Sequence, residues 1–366
     1  MEIRHVPAFD YRWLLGQRKS GRAPSEKSKS GGLAQGVIKW INTFPFSILV
    51  GEGGLIYFIL LLIRGQRLIH NEKITHLYSS FRPFADHYAA YWLKKWNPSV
   101  FWIADFRDLI IDPHYGHIFF PKAHERFFKK LFHQADLLTT VSEGLSVKLK
   151  SLNDHVQVLR NGVPDDAQPP VPVPCFHFTI CYTGSMFLDK RNARPLFEAL
   201  TLILRQDPDV IDNIRIVHAG KDLSAWQAMA AEYNLSYILM DQGLLPQVQA
   251  RVIQQQACIN LLLTISSPAL HGVLTGKMIE YMEAGSPVLG IVAGQNDPEL
   301  SAIFSEVEIG QSFSDQPADL ENIKNFILRE YHEWQKAGMN RKPVRWEVVE
   351  DKYAMNKIIK SLMYEL

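Results

Sequence analysis

Cysteine is scarce in this chain of 366 residues: Cys175, Cys181 and Cys258 are the three present. Their odd number and lack of zinc-ligand spacing exclude a disulfide framework and a cysteine zinc site, and point to free thiols in a reducing compartment. Long apolar runs are missing too. The most apolar stretch, LIYFILLLI at 55 to 63, has half of the roughly 20 residues a membrane span needs. It reads as a helix that is buried or faces a membrane, with burial the favoured reading. The opening residues carry no secretory pattern, so a cytoplasmic location is expected. Neither sign of charge dominates: the formal net charge is +1, which argues against a general nucleic-acid binder. No Ser-His-Asp or Cys-His arrangement stands out. Asp207 and Asp209 flank Pro208 in an Asp-x-Asp, but this falls in a loop between a helix and a strand. No metal is expected.

The composition that is present describes a folded protein. Hydrophobic residues make up 47% and charged residues 21% of a chain longer than one core usually serves, so two domains are expected. Charge is uneven along it. Residues 1 to 50 hold Arg4, Arg12, Arg18, Lys19, Arg22, Lys27, Lys29 and Lys39 against Glu2, Asp10 and Glu26, an end suited to an anionic surface. The stretch GQRKSGRAPSEKSKSGG at 16 to 32 has the composition of a mobile loop.

From residue 74 onward, β-branched and aromatic runs alternate with segments of helical period, which predicts parallel α/β architecture. The strands expected are ITHLYSS, VFWIADF, LLTTVS and VQVLRNG, then FTICYTG, IRIVHAG, YILMDQG, INLLLTI and PVLGIV. The proline-rich PDDAQPPVPVP at 164 to 174 cannot be a helix or central strand and reads as a linker. It divides a domain at 1–165 from one at 166–346, and the helical segment 347–366 is expected to return to the first. Ligands of doubly wound sheets sit beyond the carboxyl ends of the strands, here expected in a cleft between the halves. The first domain lacks a hydrophobic strand followed by a glycine-rich turn at its start, so it is expected to be incomplete or the chain shortened at its beginning.

The most informative stretch is TGKMIEYMEAGSPVLG, 275 to 290. Thr275, Gly276 and Lys277 precede a helical run that Gly285 and Pro287 terminate. Unbonded N–H groups at a helix start attract anions, and the bare backbone of Gly276 lets a phosphate approach. Glu280 lies four residues on, about 6 Å along the axis, a separation that in a nucleotide leads from phosphate to ribose. A solvated helix acid is the competing reading of Glu280. A second element, YTGSMFLDKRNARP at 182 to 195, puts Gly184 and Ser185 at a strand end, with Lys190, Arg191 and Arg194 ahead of a helix. These cations suit a departing diphosphate, or form a solvated basic loop. In SSFRPFADHYAAYW, His87 near a helix start is a candidate proton relay or a packed histidine. ADFRD puts Asp105, Arg107 and Asp108 at an acceptor pocket, or in an internal ion pair. Backbone near Gly243 and Leu244 is the expected neighbour of the base.

These stretches, in their order and spacing, resemble family 4 glycosyltransferases, retaining enzymes of the GT-B fold of bacterial surface-polysaccharide type. The resemblance covers roughly residues 70 to 310, and the 275 to 290 block is its most specific part. It implies two Rossmann-like domains facing a central cleft, a nucleoside-diphosphate sugar as donor, a saccharide or lipid-linked acceptor, and no cofactor. It implies the ribose contact for Glu280, and the diphosphate region for Gly184, Lys190 and the 275 to 277 turn. With no nucleophile evident, it implies front-face transfer resting on leaving-group stabilisation and on holding the acceptor in place. Many members carry a second glutamate eight positions before Glu280, where this chain has Gly272, so the sugar contacts of that acid are unassigned. The function expected is sugar transfer in cell-envelope polysaccharide assembly, peripheral to the inner face of the cytoplasmic membrane. The alternatives are a non-catalytic nucleotide-sugar-binding or interaction protein, and a sugar-nucleotide epimerase.

Overall fold

The computed structural model describes residues 3–8, 32–51, 53–109, 118–171, 173–186, 192–268, 270–341 and 344–363. The chain separates into two compact units, Met1–Val158 and Leu159–Leu366.

The first unit opens with helices α1 (Gly32–Asn42), α2 (Phe46–Leu49) and α3 (Gly54–Asn71). There follow β1 (His76–Phe81), α4 (Phe84–Trp96), β2 (Phe101–Phe106), α5 (Pro121–Phe132), β3 (Leu137–Thr140), α6 (Glu143–Leu149) and β4 (Val156–Val158). The strands form one parallel sheet in the order β1-β2-β3-β4. A parallel sheet needs cover on both faces, which is why β2, Asp105 apart, reads as an apolar run and buries Trp102, Ile103, Ala104 and Phe106. Phe84, Phe128, Phe132 and Leu138 close over it. The run at 55 to 63 departs from the burial expected of it. It forms part of α3, yet Leu55, Ile56, Ile59 and Ile63 are exposed, with Ile56 at 69%. Their spacing places them along one side of the helix, so α3 is amphipathic with part of its apolar surface turned outward.

The second unit contains β5 (Val173–Pro174), β6 (Phe178–Thr183), α7 (Arg194–Gln206), α8 (Pro208–Asp212), β7 (Ile214–Ala219), α9 (Leu223–Glu232) and β8 (Leu239–Asp241). It continues with α10 (Gln247–Gln256), β9 (Ile259–Ser266), α11 (Gly276–Ala284), β10 (Val288–Gly294), α12 (Pro298–Glu306) and β11 (Gly310–Ser314). The last elements are α13 (Leu320–Lys336), β12 (Asn340–Arg341), α14 (Trp346–Tyr353) and α15 (Met355–Met363). Six parallel strands run in the order β11-β10-β9-β6-β7-β8. Winding therefore starts at the centre, goes one way through β6, β7 and β8, and resumes on the other side with β9. The strand order reverses between β6 and β9, which makes their carboxyl ends the switch point where ligands of such sheets bind.

Seven of the nine expected strand runs after residue 74 coincide in full or large part with ladder strands, and the other two, VQVLRNG and YILMDQG, supply the short β4 and β8. β11 was not expected, because GQSFS is mostly polar. It exists because the sheet edge takes it: a Cβ on Gly310 would lie 1.9 Å from the Val288 carbonyl oxygen, so only glycine allows that approach. Part of the proline-rich stretch packs within the second unit. Val173 and Pro174 pair antiparallel with Arg341 and Asn340. The described part of the segment expected to return to the first domain, 347–363, meets this unit: Val163 N–H donates to Tyr353 O at 2.7 Å, and Met355 N–H donates to Val163 O at 3.0 Å.

Candidate functional site

At the switch point β6 ends in Thr183 and Gly184, and Gly184 takes φ +103, a conformation that favours glycine. Its N–H donates to Ala219 O at 2.7 Å, tying the turn to the end of β7. The Tyr182 hydroxyl donates to Ser185 O at 2.8 Å, and Met186 N–H donates to Asp222 Oδ2 at 2.7 Å. The turn is thus held from both sides, with the peptide surface at Gly184 and Ser185 half-exposed.

Helix α11 starts beside it. Thr275 is extended at the N-cap, φ −79 and ψ 153, and its side chain makes no cap hydrogen bond. A Cβ built on Gly276 meets nothing within 4 Å, so space is open in front of the first helical residue. The Thr275 and Ser266 hydroxyls are buried and have no hydrogen-bond partner among the described residues. Two buried hydroxyls and a helix start at one strand end make a place for an anion with several oxygens. Lys277 links the two glycine turns. Its ammonium lies 4.2 Å from the centroid of the Tyr182 ring, and a Cβ on Gly184 would lie 2.7 Å from its Nζ. The helix ends at Gly285, φ +70, whose N–H donates to Tyr281 O at 3.0 Å.

Glu280 is half-buried on α11 and is not a plain solvated acid. Gln254, buried on α10, donates through Nε2 to Glu280 Oε2 at 3.1 Å and to Thr183 Oγ1 at 2.8 Å. Its own backbone carbonyl accepts from Asn260 Nδ2 and Ser286 Oγ. One carboxylate oxygen is therefore fixed from inside. Gln254→Leu removes that support and strands the Thr183 hydroxyl, so we expect a loss of about 1–3 kcal/mol in urea unfolding. An unchanged midpoint would show that this bridge carries no stability.

Two residues that sequence reasoning did not reach shape the approach to α11. Asp297 caps α12 by accepting from Glu299 and Leu300 N–H groups, and its other oxygen accepts from Gly272 N–H at 2.6 Å. Gly272 itself sits at φ +68, so a glycine at that position has a backbone reason. The short carboxylate before Pro298 was a visible helix-start signal for Asp297. Gln254 gave no signal, because only the tertiary fold brings α10 against α11.

Of the residues expected near the base, Gly243 has φ +68 with open space at its Cβ position, and Leu244 is 61% exposed. Nearby, buried His218 at the end of β7 shares a hydrogen bond of 2.8 Å between Nδ1 and Asp241 Oδ1 and packs against Trp226. Arg194 is not brought to the Gly184 turn: it starts α7, is largely exposed, and pairs with Glu232. Lys190 and Arg191 lie outside the described residues.

The acceptor-side candidates all fall in the first unit, and they form two different structures. Asp105 is fully buried, accepting from Arg107 Nε at 2.7 Å, Ser80 Oγ at 2.9 Å and Thr139 Oγ1 at 2.7 Å. It anchors the end of β2 as an internal ion pair, and Asp108 beyond it is exposed. His87 is fully buried between Phe106 and Phe132, with the Phe81 ring also nearby. Of the two readings offered for it, proton relay or packed histidine, this placement is that of a packed histidine. Burial pushes its pKa down to about 3, only partly opposed by the Asp105 backbone, so it is neutral at ordinary pH.

A six-stranded switch-point sheet and a separate parallel four-stranded sheet are those of the GT-B fold, and comparison with solved structures agrees. The chain is similar to a glycosyltransferase from Rickettsia africae ESF-5 at 13% identity and TM-score 0.57, over 84% of this chain and 80% of that one. It is similar to the apo lipopolysaccharide outer core galactosyltransferase WaaB at 12% identity and TM-score 0.53, over 85% and 81%. It is also similar to S. aureus TarM, solved with fondaparinux, alpha-GlcNAc-glycerol and UDP, at 12% identity and TM-score 0.53, over 84% and 58%. No protein-family model and no curated protein matches the sequence.

Proposed function

We propose that the protein is a glycosyltransferase that moves a sugar from a nucleoside-diphosphate sugar to a saccharide or lipid-linked acceptor. One observation carries the reading: the start of α11 at the switch point, open at Gly276, with a braced Glu280 one turn further on. In this reading the N–H groups of the first turn of α11 and the Thr275 hydroxyl hold the diphosphate. Lys277 and the Gly184 turn offset the charge that develops as the sugar–oxygen bond breaks. Glu280 accepts hydrogen bonds from the ribose hydroxyls, and Gln254 keeps its carboxylate from turning away. The residues present suit leaving-group stabilisation, and the expected route is front-face, retaining and metal-independent.

A second reading has a specific observation in its favour. His87 and Asp105 serve the internal structure of the first unit, which suits a protein that binds a nucleotide sugar without turning it over. Equilibrium binding of UDP, GDP, ADP and CMP, followed by product analysis with the matching sugar donors, separates the two. Binding with transfer supports the enzyme, binding without turnover supports the second reading, and no binding by the folded chain sinks both.

The exposed apolar residues of α3, with exposed Trp40 and Val37 on α1, support attachment to the inner face of the cytoplasmic membrane. No helix among the described residues is long and apolar enough to cross a membrane. Replacing Ile56 and Ile59 by serine is expected to weaken cosedimentation with anionic phospholipid vesicles about tenfold. Equal binding by the double variant would remove this face as the contact.

A further inference from the structure

The two sheets differ in a way that the donor site does not use. In the second unit β6 has strands on both sides, whereas in the first unit β1 is an edge, hydrogen-bonded only to β2 among the described residues. The Thr75 carbonyl accepts from Phe101 N–H at 2.8 Å, so Thr75 faces β2. By the alternation of a strand, Leu77 and Ser79 also direct their peptide groups to β2, and His76, Tyr78 and Ser80 direct theirs to the open side. Unpaired edges of this kind are templates for another strand.

A hollow of about 730 Å³ runs along that edge. Leu77, Tyr78, Ser79 and Ser80, four consecutive residues of β1, all border it. A ligand lying on one face of the sheet would meet alternate residues, so this hollow flanks the strand itself. Leu61 and Leu68 of α3 and Ala89 and Leu93 of α4 form an apolar wall beside it. Arg4, Arg64 and Arg67 also line it. Val6 borders it too, and Arg64 donates to His5 O at 2.6 Å; Glu72 pairs with Arg4 at 3.6 Å, and Asp86 accepts from the Tyr57 hydroxyl at 2.8 Å. Three arginines against two carboxylates leave one positive charge in excess.

We propose that this hollow receives one extended segment of a partner polypeptide, which adds to β1 as a further strand. The segment's chemistry follows from the walls: the side chains on its one face turned to α3 and α4 are apolar where they meet Leu61, Leu68, Ala89 and Leu93 and acidic where they meet Arg64 and Arg67. A second copy of the chain fits less well, because its own β1 edge is set beside the same helical wall and two such edges do not reach each other.

The test uses the full chain and a synthetic peptide of about eight residues in which threonine alternates with valine, glutamate, glutamate and valine, so that one face carries both the apolar and the acidic side chains. Amide exchange at His76, Tyr78 and Ser80 is expected to slow at least about tenfold on saturation. A peptide methylated on alternate backbone nitrogens should give no slowing, and one with lysine in place of the glutamates should bind more weakly. Tyr78→Pro, which removes an outward N–H, should abolish the slowing while the urea midpoint shows that the unit is folded. The proposal is overturned by no slowing at ~1 mM peptide, well above a weak but specific Kd. It is overturned equally if those amides are protected in the chain alone, or only in a concentration-dependent dimer. It also fails if dodecyl phosphate occupies the hollow and methylation of the peptide makes no difference, which would mark a site for an amphiphile.

Discussion

Glu280→Ala is expected to lower affinity for the preferred nucleoside diphosphate about a hundredfold. The figure assumes two hydrogen bonds from ribose hydroxyls to a carboxylate, each contributing roughly 1.5 kcal/mol or more, and about 1.4 kcal/mol per factor of ten. The carboxylate is braced by Gln254 before any ligand arrives, so little ordering cost offsets the gain. Inorganic pyrophosphate supplies the control. It lacks a ribose, so its binding to the start of α11 should be unchanged or slightly stronger once the negative charge is removed. Calorimetric titration of both ligands into both proteins reads the difference. Equal loss for pyrophosphate and nucleotide would mean that Glu280 shapes the helix start. No loss for either would remove Glu280 from the site.

Acidification should destabilise the first unit through His87, by about 3 kcal/mol at pH 4. The folded-state pKa is lowered to about 3 from 6.5 because the imidazole is buried among aromatic rings. The folded form therefore binds fewer protons than the unfolded form between these values. Stability is fully present above pH 6.5 and is lost as pH falls toward 3, at about 1.4 kcal/mol per pH unit. The hydrogen bonds fix the neutral tautomer. Trp102 Nε1 donates to Ser79 Oγ at 2.8 Å, so the Ser79 hydroxyl hydrogen is left for His87 Nδ1, also at 2.8 Å. Asp86 works against this trend. Burial raises its pKa to about 6, so the folded form gains protons between pH 6 and 4 and stability rises there by up to about 2 kcal/mol after allowance for solvent screening. Urea unfolding at pH 7 and pH 4 should thus show a steeper acid loss in Asp86→Asn than in the parent chain. His87→Leu in the same background should remove most of it, with Ser79 still bonded to Trp102. A slope unchanged by His87→Leu would disprove the assignment.

Much of this architecture was legible along the chain, for identifiable reasons. Strands buried on both faces are mostly apolar, so FWIADF and INLLLTI announced themselves in spite of Asp105 and Asn260. Glycines at Gly184 and Gly285 marked turns because left-handed backbone tolerates little else. GQSFS was illegible as a strand, because a polar segment joins the sheet edge through its backbone and a close approach at Gly310. The helix carrying LIYFILLLI was legible but its exposure was not, since hydrophobicity states what a residue prefers and leaves open what is available to cover it.

The same division holds at the site. Sequence by itself determined the elements and their order, the glycine turns, and the spacing that sets Glu280 one turn beyond Gly276, because period and backbone sterics are local. Tertiary structure alone decided that β6 and β9 meet at a switch point, that Gln254 braces Glu280, and that Asp297 ties down Gly272. It also decided that Arg194 turns to Glu232 and that His87 and Asp105 are internal. Those outcomes depend on which residues far apart in the chain come within a few ångströms, and on whether a charge then finds a partner or water.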